Sequence, residues 1–298
     1  MNYINNYIIP ELEDIKLDKL TTIQIQKFYN DLQKNGRVQR YQHIQLKNKG
    51  LSVRVVHGIH TLLNNCLEQA VAERLILVNP ARGCKLPKME KREMKVLPEE
   101  KIRPYLMEAD KRGLLAPFYL ELTTGLRRGE ICGLKWEDFD AENGKLKVRR
   151  SVAKRKGGGL NIGETKTETG TRTIVLPPST AELLRKRKET AVSEWIFPNI
   201  YEPEKPMHPD YAYHRLKTLL KQAELPLIRF HDLRHTFATH ALAGGVDAKT
   251  LSGILGHTNA SFTLDTYTHV TTDMQKNASN IVGSFMDEIM LEGDDTNR

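Results

Sequence analysis

Apolar residues recur at helical spacing along most of this chain and alternate in the strand manner in only two short places. Tyr3, Ile4, Tyr7 and Ile8 predict an opening helix that Pro10 stops. Thr21 or Thr22 then offers an N-cap for a helix whose Ile25, Phe28, Tyr29 and Leu32 form one stripe, ended by Gly36. Ser52 opens a long helix over about 53–77, with Val55, Val56, Ile59, Leu62, Leu63, Cys66, Leu67, Ala70 and Val71 on one side and Asn79-Pro80 beyond its end. From about residue 97 a helix, an apolar helix, a glycine turn at Gly125 and a second helix beginning near Arg128 follow. The runs at 145–152 and 171–177 alternate as strands, and the glycine-rich polar stretch between them predicts a mobile hairpin. Helices are predicted at 179–190 and 209–223, then over the run holding Leu233, Phe237 and Ala241. Ile281, Val282, Phe285, Met286, Ile289 and Met290 predict an amphipathic tail helix that either folds back on its own core or docks on a neighbouring subunit.

Between the long helix and the larger mixed segment, ARGCKLPKMEKREMK is poor in large apolar residues and rich in charge, as expected of a linker. The expected organisation is therefore multidomain and mainly α. A small helical domain spans 1–84, a basic linker 85–95, and a mostly helical unit with a small antiparallel β-sheet or hairpin 96–298. A hydrophobic fraction of 39% supports real cores in a chain of 298 residues. No run is long enough to span a bilayer, and the N-terminus lacks a signal-peptide layout, so a cytoplasmic location is expected. Cys66, Cys84 and Cys132 have no metal-ligand spacing and read as reduced and structural.

The formal net charge of +8 favours a polyanionic partner, although a solvated lysine face meets it equally well. Lys47, Lys49 and Arg54 cluster at the start of the long helix, and Arg82, Lys85 and Lys88 lie at the linker. These six are the candidate contacts to a DNA backbone. Residue types alone favour a solvated face at the first three.

The richest stretch runs from 231 to 269. His231 and Arg234 are three apart and leave one helix face, His257 follows Leu255-Gly256 at the end of a second predicted helix, and Tyr267 lies within DTYTH. Arg127, in TGLRRGE, supplies a second guanidinium at a helix start, where backbone N–H groups also point toward an anion. Taken singly, each residue has a plainer reading. Arg127 can pair with Glu130 on the surface, Tyr267 can be a core aromatic, and His235 and His240 read as structural.

Arg127, Lys166 within ETKTETGTRTIVLP, His231-x-x-Arg234, Leu255-Gly256-His257 and Tyr267 together resemble the signature of the tyrosine recombinases, the phage integrase family, in the form found in conjugative-transposon integrases. The resemblance covers the chain from about residue 96 onward, more weakly before it. It implies a helical core-binding domain and a catalytic domain that clamp double-stranded DNA. It also implies a homotetramer on two sites, a C-terminal helix exchanged between subunits, excisionase or DNA-bending accessory proteins, and no metal or cofactor. It makes Lys166 the lysine of the hairpin, which residue type alone does not separate from Lys154 or Lys156, and Glu130 a supporting acid.

The residue types suit that chemistry. A phosphodiester repels nucleophiles, and two arginines can each donate two hydrogen bonds to its non-bridging oxygens as charge grows at five-coordinate phosphorus. Tyrosine, with an ordinary pKa of about 10, needs a base or cationic neighbours to attack at neutral pH. His231 is the base candidate, His257 a phosphate ligand and Lys166 the donor to the leaving 5′ oxygen, with the two histidine roles left open. His231 and His235 have the i, i+4 spacing of a helical metal pair, but Asp-Leu-Arg intervenes and no third ligand is in view. An idle DNA-binding regulator and a monomeric type IB topoisomerase remain as other readings of the scaffold.

Overall fold

The computed structural model describes residues 3–38, 48–89, 95–155, 157–164, 171–256, 279 and 282–284. The chain divides into two compact units, Met1–Arg92 and Glu93–Arg298.

The first unit is helical. A π-turn at Ile4–Ile8 runs straight into α1 (Ile9–Leu12), so Pro10 does not stop the opening helix. It is the second residue of α1 and directly follows the π-turn, whose last bond runs from the Ile9 amide to Ile4 O. Helix α2 (Thr22–Asn35) starts on Thr21, whose hydroxyl accepts from the Gln24 amide while Gln24 Oε1 accepts from the Thr21 amide at 2.8 Å. Its Ile25, Phe28, Tyr29 and Leu32 pack against Val56, Ile59, Leu63 and Leu67 of α3 (Val53–Ala72).

Helix α3 is shorter than its periodicity predicts, ending at Ala72 rather than near 77. Arg74 turns left-handed at φ 59°, its amide donates to Val71 O at 3.0 Å and the Leu75 amide to Ala70 O at 2.8 Å. Two carbonyls at the helix end are thereby satisfied by a terminating turn built on arginine instead of glycine, so the usual sequence mark is missing.

The second unit is mainly α, with two small antiparallel sheets among the described residues. Helices α4 (Glu99–Lys111) and α5 (Leu115–Thr124) lead through Gly125 to α6 (Arg128–Cys132). Strands β1 (Phe139–Asp140), β2 (Lys145–Val148) and β5 (Arg172–Val175) form one sheet in the order β1-β2-β5, with Leu146 opposite Ile174. Strands β3 (Arg150–Lys154) and β4 (Leu160–Glu164) form a separate pair with Val152 opposite Ile162.

The single strand expected over 145–152 is thus broken at Arg149. Asp138, nearly buried, accepts from Arg149 Nε at 2.6 Å and from Arg150 Nη2 at 2.5 Å, drawing consecutive side chains to one carboxylate. Consecutive residues of a regular strand point to opposite faces, so that shared grip is incompatible with an unbroken one.

Helices α7 (Pro178–Glu189), α8 (Pro209–Gln222), α9 (Phe230–Ala243) and α10 (Ala248–Leu255) complete the described fold. The core joins helices to the three-stranded sheet through Tyr105, Phe118, Leu146, Ile174, Leu216 and Leu233. Each such side chain contributes about 1.5–3 kcal/mol of burial. A smaller cluster of Ala238, Leu242, Leu251 and Leu255 locks α10 onto α9. Among the described residues no helix is long and apolar enough to cross a membrane.

Candidate active site

Three helix ends converge on one place in the second unit. Helix α5 stops at Gly125 with φ 62°, α10 stops at Gly256 with φ 64°, and α6 begins immediately after Arg127. Side chains are excluded from both glycines by contact as well as by backbone conformation. A Cβ on Gly125 would lie 2.4 Å from Phe237 Cδ1, and one on Gly256 would lie 2.9 Å from Arg172 Nη1.

The last carbonyls of α10 have no partners within the helix. Here three successive ones accept from three different arginines. Arg172 Nε donates to Ile254 O at 2.6 Å, Arg234 Nη2 to Leu255 O at 2.7 Å and Arg127 Nη2 to Gly256 O at 3.2 Å. Arg234 Nη1 also donates to Gly125 O at 2.8 Å, tying the end of α5 to the end of α10. Guanidinium groups placed on helix C-terminal carbonyls meet the negative end of each helix dipole.

The arginines differ in access. Arg234 is 2% exposed, whereas the Arg127 side chain is 42% exposed. Glu130 joins the second of these to Arg172. Its Oε1 accepts from Arg127 Nη1 at 2.8 Å and Arg172 Nη1 at 3.2 Å, and its Oε2 from the Arg127 amide at 2.9 Å and Arg172 Nη2 at 2.8 Å. Burial alone would raise the Glu130 pKa, but the Arg172 hydrogen bonds and the surrounding positive charge outweigh it and hold the carboxyl below its ordinary value. The pairing of Arg127 with Glu130 that the sequence offered as a plain surface contact is present, as one side of this larger network.

Helix α9 presents the histidine. Asp232, fully buried, accepts from the Arg229 amide at 2.7 Å and fixes the first turn, and Thr236 Oγ1 accepts from the Leu97 amide at 2.9 Å. His231 lies one turn from His235, with ring centroids 4.7 Å apart and edge to face. Desolvation first, then the charges of Arg234 and Arg127, lower the His231 pKa, so the imidazole is neutral near pH 7 and can accept a proton. His235 is pushed down to about 4, by desolvation and then by His231. His240 Nε2 is hydrogen-bonded to Leu97 O at 3.3 Å.

Arg127, Glu130, His231 and Arg234 are therefore placed around one locus, and Arg172 is a member the sequence reading did not single out. Its signal was its place in TRTIVLP, two residues before the apolar Ile174 and so on the same strand face, where an arginine needs a partner. Lys166, His257 and Tyr267 lie outside the described residues, although His257 directly follows Gly256.

Of the candidate DNA contacts, Lys47 also lies outside them, while Lys49, Arg54, Arg82, Lys85 and Lys88 are exposed. Arg82 is already engaged, with Nε 2.6 Å from Glu68 Oε1 and Nη2 2.5 Å from Glu68 Oε2.

The sequence matches the Phage integrase family over residues 89–274 and the N-terminal SAM-like domain of phage integrases over residues 1–33. A tyrosine recombinase XerC-like protein of Caldanaerobacter subterraneus subsp. tengcongensis is 31% identical over 305 residues, an alignment covering 93% of this chain and 73% of that one. The Tn1549 transposon integrase solved with transposon right end DNA shares the fold, with TM-score 0.73 at 20% identity, covering 92% of each chain. A lambda integrase tetramer bound to a Holliday junction shares it less closely, with TM-score 0.60 at 22% identity, covering 87% of this chain and 71% of that one.

Proposed function

The chain belongs to the phage integrase family and is a tyrosine-type site-specific DNA recombinase, and from that premise we propose that Arg127 and Arg234 bind the scissile phosphate of its DNA substrate. The observation that carries this reading is the anchoring of both guanidinium groups on adjacent carbonyls, Gly256 O and Leu255 O, one residue before His257. Arg127 is held through Nη1 on Glu130 and Nη2 on Gly256 O, and Arg234 through Nη1 on Gly125 O and Nη2 on Leu255 O. Arg127 keeps an open flank toward solvent where an anionic group can approach.

In the proposed reaction the Tyr267 hydroxyl attacks phosphorus and gives its proton to His231. The two arginines and His257 stabilise the charge gathering on the non-bridging oxygens. The bond to the 5′ oxygen breaks, Lys166 protonates that oxygen, and a 3′-phosphotyrosyl ester remains. A 5′ hydroxyl from the second duplex then attacks the ester and restores a phosphodiester, while Tyr267 regains its proton. Because the ester conserves the bond energy, the scheme needs neither ATP nor a metal. Two such exchanges, passing through a Holliday junction, join element ends to target or release them.

The same reading extends to assembly and place of action. The lambda integrase tetramer on a Holliday junction supports a homotetramer of this chain on two DNA sites. Exchange of the C-terminal segment between subunits, an excisionase or DNA-bending partner, and action in the cytoplasm on nucleoid DNA belong to the proposal. Lys47, Lys49, Arg54, Lys85 and Lys88 are its proposed backbone contacts, and Arg82 joins them once Glu68 releases it.

Nicked duplexes carrying candidate element ends, incubated with the protein and run on a denaturing gel, test the chemistry. A covalent protein-DNA adduct is expected with the native chain and none with Tyr267→Phe. Tight DNA binding without an adduct on any such duplex would overturn the assignment of Tyr267.

A further inference from the structure

One buried acid near the arginines has no part in the scheme so far. Glu121 lies on α5 one turn before Gly125, is 0% exposed, and neither carboxyl oxygen has a hydrogen-bond partner. The phenol of Tyr105 on α4 is enclosed and unpartnered in the same way.

The charged and titratable groups around Glu121 come from each element packed on α5. They are Arg234 from α9, Arg128 and Cys132 from α6, and Tyr105 from α4. Helix α7 meets α5 through hydroxyl pairs, Ser179 with Tyr119 and Thr180 with Thr123, and brings no charge there. Arg234 directs its two terminal nitrogens to Gly125 O and Leu255 O, and among the described residues no ion pair joins it to Glu121. A carboxylate buried with neither hydrogen bonds nor an ion pair is costly enough that the group takes a proton instead. Desolvation accordingly drives the Glu121 pKa well above its ordinary value, against the opposing pull of Arg234 and Arg128.

We propose that Glu121 is a positioning residue that acts through Arg234: as a neutral acid it leaves the full charge of the guanidinium to the DNA phosphate, and on losing its proton to solvent it offsets that charge. This rests on the assignment of Arg234 to the scissile phosphate. In a low-dielectric setting a carboxylate beside Arg234 acts strongly on any anion the arginine holds. Glutamine fills the same space and has no ionised form.

The test is the single-turnover rate of adduct formation on a nicked duplex, for the native chain and Glu121→Gln, from about pH 6 to about pH 10. Each rate is scaled to the same protein at neutral pH, so that titration of Tyr267 or a lysine, common to both, cancels. The native rate is expected to fall on the alkaline side relative to the glutamine variant, by about tenfold per pH unit once the carboxyl ionises. Superimposable profiles would overturn the proposal.

If the variant does not fold, infrared spectra of the native protein decide. A protonated carboxyl band at neutral pH that shifts when DNA binds is expected, and its absence overturns the proposal. If the native chain forms no adduct on any duplex, the functional reading fails instead, a result the infrared band does not depend on.

Discussion

Arg172 reaches Glu130 with both terminal nitrogens, Nη2 to Oε2 at 2.8 Å and Nη1 to Oε1 at 3.2 Å, while its Nε holds Ile254 O. Both side chains are under a tenth exposed, at 8% and 4%. This bridge fastens β5 to α6 and to the end of α10, the elements that set the position of Arg127.

Arg172→Lys is therefore not a conservative change, because one ammonium cannot serve three acceptors in that fork geometry. Removing one partner of a buried pair costs about 3–5 kcal/mol, and Glu130 retains Arg127, so a loss near 3 kcal/mol is expected in urea unfolding. Adduct formation should fall with it even under conditions where the variant is fully folded. Native stability in Arg172→Lys would show that the bridge contributes little.

Arg234→Lys separates binding from chemistry. The lysine carries the same charge but cannot span Gly125 O, Leu255 O and a phosphate together. Loss of an oriented donor at the reacting group costs on the order of 10²–10³ in rate. The adduct rate should drop by that factor while DNA affinity, spread over many backbone contacts, changes less than tenfold. Equal losses in affinity and rate would place Arg234 outside the reaction.

Much of this site was legible because its residues keep fixed spacing on short elements. His231 and Arg234 share α9, and Arg127 with Glu130 opens α6, so helical periodicity alone relates each pair. What periodicity could not supply was the meeting of separate elements. The row of Ile254, Leu255 and Gly256 carbonyls is backbone chemistry, identical for any sequence that ends a helix there. Arg172 and Glu121 acquire their roles from burial, which residue order does not state. The early end of α3 escaped notice for a related reason, since Arg74 occupies the left-handed turn position that glycine usually marks.

Gly125→Ala should harm the site more than its size implies. The residue must hold φ 62°, which costs roughly 1–2 kcal/mol for a side chain, and the new methyl would overlap the Phe237 ring and Leu255 Cδ2, 2.7 Å away. Overpacking adds about 1–3 kcal/mol. Because Gly125 O is a ligand of Arg234, the strain falls on the arginine as well. A thermal melt together with the adduct assay measures both effects, and a variant with native values in each would contradict the packing described.

The histidine pair predicts a particular pH dependence of stability. His235 has a folded pKa of about 4 and His231 is also lowered, against about 6.5 in the unfolded chain. As pH falls below about 6.5 the unfolded state takes up protons that the folded state does not, so stability declines toward pH 4 and then levels for this pair. The acids of the site act in a lower window. Glu130 and Asp232 are held below their ordinary values, and the stability they contribute is lost only as pH falls below about 4.3. Between about pH 7 and about pH 5 the buried Glu121, with its raised pKa, acts in the opposite sense and the lowered His60 in the same sense, but both are common to the native chain and His235→Gln, so the difference between the two proteins isolates His235. On acidification the urea midpoint of the native chain should shift less favourably than that of His235→Gln. An equal shift in both proteins would mean that His235 is protonated in the folded state and that its apposition to His231 does not shut out the proton.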